Sequence, residues 1–216
     1  MGVDEGVKDL WKRIGYTDKV IEHFTNPRNI GEMKDADVTS TVGSVACGDM
    51  IKLFLKIDDA GRIENITFLS YGCASNIATT SVMTELVKGK TLEEAKKLTF
   101  KQIVDELGGL PAIKFHCAVL SVAGLRTAVA KYEVKKGKRS LDQEFVTTLL
   151  KGVLDPMTGR DIVSMGKVKS VNIQDGKIDI VLDMPPEDEI SKVIKEEIID
   201  AFEGLDITLN VRFSKD

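Results

Sequence analysis

The chain has little cysteine, little histidine and no long apolar run. Its 216 residues include three cysteines and two histidines. No stretch of about 18 consecutive apolar residues is present to cross a bilayer, and the opening MGVDEGVKDLWKR is charged where a signal peptide would be apolar. We therefore expect a cytoplasmic protein with no membrane partner. Because cytoplasmic thiols stay reduced, three cysteines predict metal-binding, catalytic or simply buried residues and argue against a disulfide framework.

An excess of positive charge is also lacking. The 30 lysines and arginines are outnumbered by 34 aspartates and glutamates, for a net charge of -4. Such a balance gives no electrostatic reason to expect a nucleic-acid partner. The 43% hydrophobic and 30% charged residues are typical of a globular protein with a buried core.

Hydrophobic periodicity predicts strands and then helices in the first half. Residues 5–24 read as one amphipathic helix, which Asn26 and Pro27 end. Residues 38–46, 51–57 and 62–71 alternate as strands, and the simplest arrangement is a three-stranded antiparallel sheet. The helical period then covers residues 75–87, with Ser75 as N-cap, residues 93–107, with an interruption near Thr99, and residues 115–132.

The second half repeats the mixture on a smaller scale. Asp175-Gly176 suits a tight hairpin turn between two strands. The predicted fold class is therefore α+β: a three-stranded antiparallel sheet with helices, followed by a small α/β domain. The predicted boundaries are 1–134 for the first domain, 135–139 for a basic linker and 140–216 for the second domain. The predicted elements of the second half are a helix over 141–154, strands over 168–173 and 177–183, a helix over 190–202 and a last strand over 205–213.

The three cysteines lie at junctions between predicted elements. Cys47 lies in a hairpin, Cys73 precedes a helix and Cys117 is in the opening turn of the long helix. All three junctions could meet at one tip of the domain. A helix N-terminus lowers a cysteine pKa through its unpaired amides and dipole, so we expect Cys73 and Cys117 to ionise readily.

Other residues at these junctions fit a metal site. Asp49 and His116 offer an oxygen and a nitrogen ligand, and Gly48 and Gly72 allow the backbone to approach an inorganic group closely. Three sulfurs with one harder ligand suit zinc or an iron-sulfur cluster, and ligand type alone leaves both open.

A Cys-His nucleophile is an alternative. His116 and Cys117 are neighbours in sequence, and on a helix their side chains should diverge by about 100°. The imidazole would then serve Cys47 or Cys73 from across the site. We expect His23, at the end of a helix, to have a capping or packing role.

Four motifs, in order, resemble the IscU/NifU-type iron-sulfur cluster scaffolds. They are H-F-T-N-P-R-N-I-G, A-C-G-D, G-C-A-S-N and L-G-G-L-P-A-I-K-F-H-C, and the likeness spans about residues 18–133. The resemblance implies a platform and not an enzyme. It implies that Cys47, Cys73 and Cys117 hold a transient 2Fe-2S cluster, and that Asp49 or His116 completes the coordination.

The resemblance also implies partners. A cysteine desulfurase would supply sulfur, and acceptor proteins would receive the finished cluster. The segment from Leu110 to Lys114 resembles the recognition peptide for a specialised chaperone pair. The apo form would take zinc on the same residues. A zinc-binding sulfur acceptor that stimulates a desulfurase is the alternative function.

Residues 141–214 resemble the small iron-sulfur assembly domain that is also fused to Mrp-type ATPases. The likeness rests on L-D-P-M-T-G-R-D-I-V and M-G-K-V, in which Met157 replaces the usual glutamate. We expect this domain to dock an assembly partner or an acceptor and not to bind metal.

Overall fold

Two three-stranded sheets organise the chain, as a computed structural model shows for residues 5–44 and 48–214. The strands are β1 (Val38–Ser44), β2 (Asp49–Ile57), β3 (Ile63–Tyr71), β4 (Val168–Gln174), β5 (Lys177–Leu182) and β6 (Thr208–Phe213). The helices are α1 (Glu5–Arg13), α2 (Asp18–Thr25), α3 (Ala74–Val87), α4 (Leu92–Lys96), α5 (Phe100–Glu106), α6 (Phe115–Lys135), α7 (Gln143–Leu150) and α8 (Glu189–Ala201). A 3₁₀ turn at Ala112–Lys114 precedes α6. The predicted α+β class is confirmed.

The first sheet is antiparallel in the order β1-β2-β3. Its strands follow from apolar side chains at alternate positions of β2, among which Leu53 and Leu55 are fully buried. The register pairs Met50 with Tyr71, so the start of β2 lies beside the end of β3. The last two residues of the predicted first strand, Val45 and Ala46, lie outside the described residues, as does Cys47.

Helix α6 packs against this sheet and against α3. Gly124 makes the approach close, because a Cβ at this position would lie 3.0 Å from Val42 and 3.2 Å from Leu53. Ser40 adds a hydrogen bond from its hydroxyl to the carbonyl of Gly124, at 2.9 Å. Among the described helices, α6 alone is long and apolar enough to pass a composition test for a membrane span. Its burial between sheet and helices accounts for that composition.

The predicted single helix over residues 5–24 is wrong. Gly15, with a φ of 92°, separates α1 from α2. Thr17 then caps α2 by accepting a hydrogen bond from the backbone N–H of Val20 at 3.2 Å. The edge of the Trp11 ring meets Phe24 at a centroid distance of 5.2 Å, so the two helices share one apolar contact across the break.

The predicted N-cap of α3 is also wrong. The N-cap is Cys73, and Ser75 lies inside the helix, where its hydroxyl donates to the hydroxyl of Tyr16 at 3.0 Å. In contrast, the interruption near Thr99 is confirmed. Thr91 and Thr99 each form a capping box, at the start of α4 and of α5.

The second half forms its own sheet and core. Asp175 and Gly176 turn β4 into β5 with φ values of 48° and 75°, as the sequence predicts for a tight hairpin. Helix α8 crosses from β5 to β6, and these two strands are parallel. Phe145, Ile180 and Ile198 are fully buried in this second core.

Helix α6 also joins the two halves. Ala130, near the C-terminal end of α6, packs in the second core. Helix α6 ends at Lys135, which is the first residue of the predicted linker. Nearby, Lys131 donates from Nζ to the carbonyl of Ala201 at the C-terminal end of α8, at 3.2 Å. The domain boundaries 1–134, 135–139 and 140–216 stay a prediction.

Burial of Lys131 makes stability depend on pH. Burial lowers the pKa of Lys131 from 10.5 to about 8, although Glu203 opposes the shift. Between these values the unfolded chain binds more protons, so the free energy of unfolding should rise with pH, by about 3 kcal/mol in total. Urea unfolding at pH 7.5, 8.5 and 9.5 measures the slope. The slope should be reduced in Lys131→Met and kept in Lys138→Met, which alters an exposed lysine. Equal slopes in the two variants would contradict this assignment.

Candidate metal centre

Three element ends meet at one end of the first sheet. Asp49 opens β2, Cys73 follows β3 and caps α3, and His116 and Cys117 lie in the first turn of α6. The pairing of β2 with β3 brings the first two ends together, and the packing of α6 on the sheet brings the third. The predicted convergence is therefore observed for four of the five residues proposed as ligands. The fifth, Cys47, lies outside the described residues.

Asp49 connects the other residues. Its Oδ1 accepts a hydrogen bond from the backbone N–H of Cys73 at 3.1 Å, and its Oδ2 lies 3.1 Å from Nε2 of His116. Gly72 makes this possible, because a Cβ there would lie 2.4 Å from Oδ1 of Asp49 and 2.5 Å from Nδ2 of Asn76. Gly72 thus makes room for protein side chains, and the approach to an inorganic group that the sequence predicts for Gly48 and Gly72 stays a prediction.

His116 is oriented by the turn that precedes it. Its Nδ1 donates to the carbonyl of Ile113 at 2.9 Å, so Nε2 is the nitrogen that faces the site. Such a hydrogen bond is the usual way to orient a metal-binding imidazole. Nε2 also lies 3.4 Å from Sγ of Cys117, so the expectation that these neighbours diverge is wrong. In the first turn of α6, both side chains lean toward the helix N-terminus and reach the same space.

The two described thiols differ in ionisation. Their sulfur atoms are 3.7 Å apart. The hydrogen bond from Cys117, supported by the N–H of Asn76, lowers the pKa of Cys73 to about 5 despite burial. The same hydrogen bond and burial raise the pKa of Cys117. The ready ionisation predicted for Cys117 is therefore wrong in the metal-free protein, and one thiolate stands beside one thiol.

These residues form a group that could hold a metal ion. The ligand atoms of Asp49, His116 and Cys117 all lie within 4.8 Å of one another, and the Cys73 sulfur adjoins that of Cys117. Two sulfurs, one imidazole and one carboxylate suit zinc or iron.

Lys114 is a residue of the site that the sequence analysis considered only as part of a recognition peptide. Burial opposes its charge, but the Cys73 sulfur raises the pKa of Lys114 above its ordinary value. Its ammonium group therefore stands beside the thiolate. Its position two residues before His116 in the sequence was the available signal.

The geometry does not favour the Cys-His nucleophile. Cys117 is fully buried, and a single nitrogen of His116 faces both the thiol and Asp49. The hydrogen bond to Cys73 and burial also raise the pKa of Cys117, and a thiol that keeps its proton is a poor nucleophile. His23 lies elsewhere, buried, with Nδ1 2.9 Å from the Ser81 hydroxyl, which agrees with its predicted packing role.

Comparison with known families shows to which family the first half of the chain belongs. Residues 15–139 match the family described as NifU-like N terminal domain. The chain belongs to this NifU-like family. The resemblance to IscU/NifU-type scaffolds is thereby confirmed. Residues 143–211 match a second family, described as iron-sulfur cluster assembly protein, as the resemblance of the second half predicted.

Individual relatives of the NifU-like region are named as scaffolds. The iron-sulfur cluster assembly scaffold protein IscU 1 of Archaeoglobus fulgidus is 50% identical over 57% of this chain and 80% of its own length. The scaffold protein IscU of Haemophilus influenzae is 47% identical over 57% of this chain and 100% of its own length. The crystal structure of the N-terminal part of a NifU-like protein from Brucella abortus covers 55% of this chain and 94% of that chain, at 23% identity and a TM-score of 0.43.

The space left by Gly72 provides a test of the site. A methyl group in Gly72→Ala would displace the Asp49 carboxylate from Cys73 and His116. We expect Zn²⁺ affinity to fall about tenfold, within the range for changes next to a metal ligand. Competition titration with a chromophoric chelator measures this. Gly6→Ala, at an exposed position of α1, is the control and should bind as the wild type does. Unchanged affinity in Gly72→Ala would mean that Asp49 is no ligand.

Proposed function

We propose that this NifU-like chain is a cytoplasmic scaffold, and not an enzyme, on which a 2Fe-2S cluster is assembled and from which it is transferred to acceptor proteins. The observation that carries the proposal is the convergence of Asp49, Cys73, His116 and Cys117 at element ends. Cys117 is buried, whereas Cys73 is partly exposed. The imidazole of His116 is 43% exposed, so a cluster held here would be open to a partner.

Each ligand has a distinct role in the proposal. Cys47, Cys73 and Cys117 would supply thiolates, which are the preferred ligands of iron-sulfur clusters. Cys47 is included on its motif alone, since it directly precedes Gly48 and Asp49 in sequence. Asp49 would be the exchangeable ligand, because a carboxylate binds iron less strongly than a thiolate and leaves more easily.

Sulfur would arrive from a cysteine desulfurase. Cys73 is the better acceptor of the two described cysteines, because it is partly exposed and its pKa is about 5. Its thiolate would attack the terminal sulfur of a persulfide on the desulfurase, and the desulfurase thiolate would leave. The transferred sulfur needs two electrons to become sulfide, and an external electron donor would supply them.

A chaperone pair would bind the segment from Leu110 to Lys114. This segment forms the surface turn before α6, and the side chain of Ile113 is 78% exposed. The carbonyl of Ile113 also orients His116. A chaperone that pulled on this turn would therefore disturb a cluster ligand, which links binding there to cluster release.

A zinc-binding sulfur acceptor is the second candidate. Two sulfurs, a nitrogen and an oxygen also make a four-ligand set suited to tetrahedral Zn²⁺. In that case sulfur would be accepted without iron, and the protein would stimulate the desulfurase.

Anaerobic reconstitution separates these functions. The protein is incubated with ferrous iron, cysteine, a reductant and a cysteine desulfurase, followed by metal and sulfide analysis. The scaffold proposal predicts that this protein gains a visible absorption, with equal amounts of iron and sulfide. The absorption should then be lost from this protein as an apo-ferredoxin gains its cluster. Colourless protein with one equivalent of zinc would support the alternative. Cys73→Ser and His116→Ala should lose the stable cluster, whereas His23→Ala removes an imidazole outside the site and should keep it.

Substitution of Asp49 tests the exchangeable ligand. In Asp49→Ala the remaining ligands would hold the cluster without the group that leaves first, so transfer should slow by about tenfold. The rate of apo-ferredoxin maturation measures this, and total cluster content checks that assembly still occurs. Transfer at the wild-type rate would remove the role given to Asp49.

A further inference from the structure

The second half of the chain borders the cluster site. A cavity of about 350 Å³ has Asp49, Ile113, His116 and Leu120 on one side. Its other side is formed by four residues that follow α7. We call these residues the site wall: Leu154, Pro156, Thr158 and Gly159.

The segment that carries the site wall is held in one shape by Asp155. This aspartate is 2% exposed, and its Oδ1 accepts hydrogen bonds from the N–H groups of Met157 and Thr158, at 3.1 and 2.9 Å, and from the Thr158 hydroxyl, at 2.9 Å. Its Oδ2 pairs with Lys167. The site wall is therefore a fixed surface and not a loose loop.

The segment is also attached to the first half. The backbone N–H of Gly43 in β1 donates to the carbonyl of Gly152 at 3.2 Å. A Cβ at Gly152 would lie 2.8 Å from Val42, so the segment after α7 touches β1 at the edge of the first sheet. Leu154, two residues further on, packs against the first hydrophobic core. These contacts hold the site wall at a set distance from Asp49 and His116.

The relatives show that a NifU-like site can exist without such a wall. The match to the Haemophilus influenzae scaffold uses all of that protein but only 57% of this chain. No length of that protein is left to form a second half. The site wall is therefore an addition of this chain to the NifU-like region that the two proteins share.

We infer that the site wall covers the Asp49 side of the cluster, where the carboxylate is 15% exposed, and leaves the exposed His116 and Cys73 side as the route for transfer. This inference rests on the proposed scaffold function. A wall on one side excludes small molecules from the ligand that exchanges most easily, and a partner must approach from the other side. The wall would therefore protect the cluster from chelators between assembly and delivery.

Removal of the cluster by a chelator tests this inference in the full chain. Two variants disturb the site wall. The double variant Pro156→Ala/Thr158→Ala removes most of two side chains that line the cavity. The variant Gly152→Ala pushes the segment that supports the wall away from Val42, at a residue that does not line the cavity. Anaerobic bleaching of the reconstituted cluster by EDTA should be about fivefold faster in both, as expected when local opening becomes easier. Met157→Ala is the matched control, because this side chain is 76% exposed and does not line the cavity.

A second control separates the wall from general stability. Ile180→Val removes a methylene group from a second-core residue that does not line the cavity, and should not accelerate bleaching. The inference is overturned if both wall variants bleach at the wild-type rate, or if Ile180→Val accelerates bleaching as much as they do.

The test also distinguishes the two proposals. If the wild type assembles no cluster, the scaffold function fails, and the same variants are compared after loading with Co²⁺ alone. Faster loss of Co²⁺ to EDTA from the wall variants would keep the wall as a cover of a metal site. Equal loss of Co²⁺ would overturn it.

Discussion

The close packing of helix α6 on the first sheet is the constraint on which the other features depend. Gly124 lets the helix approach Val42 and Leu53 to the limit of contact. With its middle fixed there, the N-terminal turn is held beside the ends of β2 and β3, and the C-terminal turn reaches the second core. A single rigid helix therefore connects the metal centre to the second half of the molecule.

The proposed metal centre balances two opposing requirements. Its backbone frame is firm, because Asp49 is bonded to the Cys73 N–H and His116 is bonded to the Ile113 carbonyl. Cys117 is buried, but Cys73 and His116 stand at element ends and are partly exposed. The negative charge of the two described thiols is kept low, because Cys73 is ionised and Cys117 keeps its proton. In the function that we propose, such a site would bind a metal and still allow it to leave.

The second half changes the surroundings of this site without supplying a described ligand to it. Its sheet and core are its own, but Gly152 bonds to the edge strand β1, and Lys131 of α6 bonds to the end of α8. A pair of contacts at separate points resists rotation better than one contact. The second half therefore keeps a defined position beside Asp49 and His116, which a flexible tether would not provide.

Local sequence determined most of the elements, because strand alternation, the capping residues Thr91 and Thr99 and the Asp175-Gly176 turn act over a few residues. The motifs also predicted the family and the residues that we propose as ligands. Only the tertiary structure decided that His116 and Cys117 reach the same point, that Cys117 keeps its proton beside Cys73, and that the residues after α7 border the site. These features depend on side-chain direction, burial and contacts between segments far apart in sequence, and periodicity carries no information on any of them.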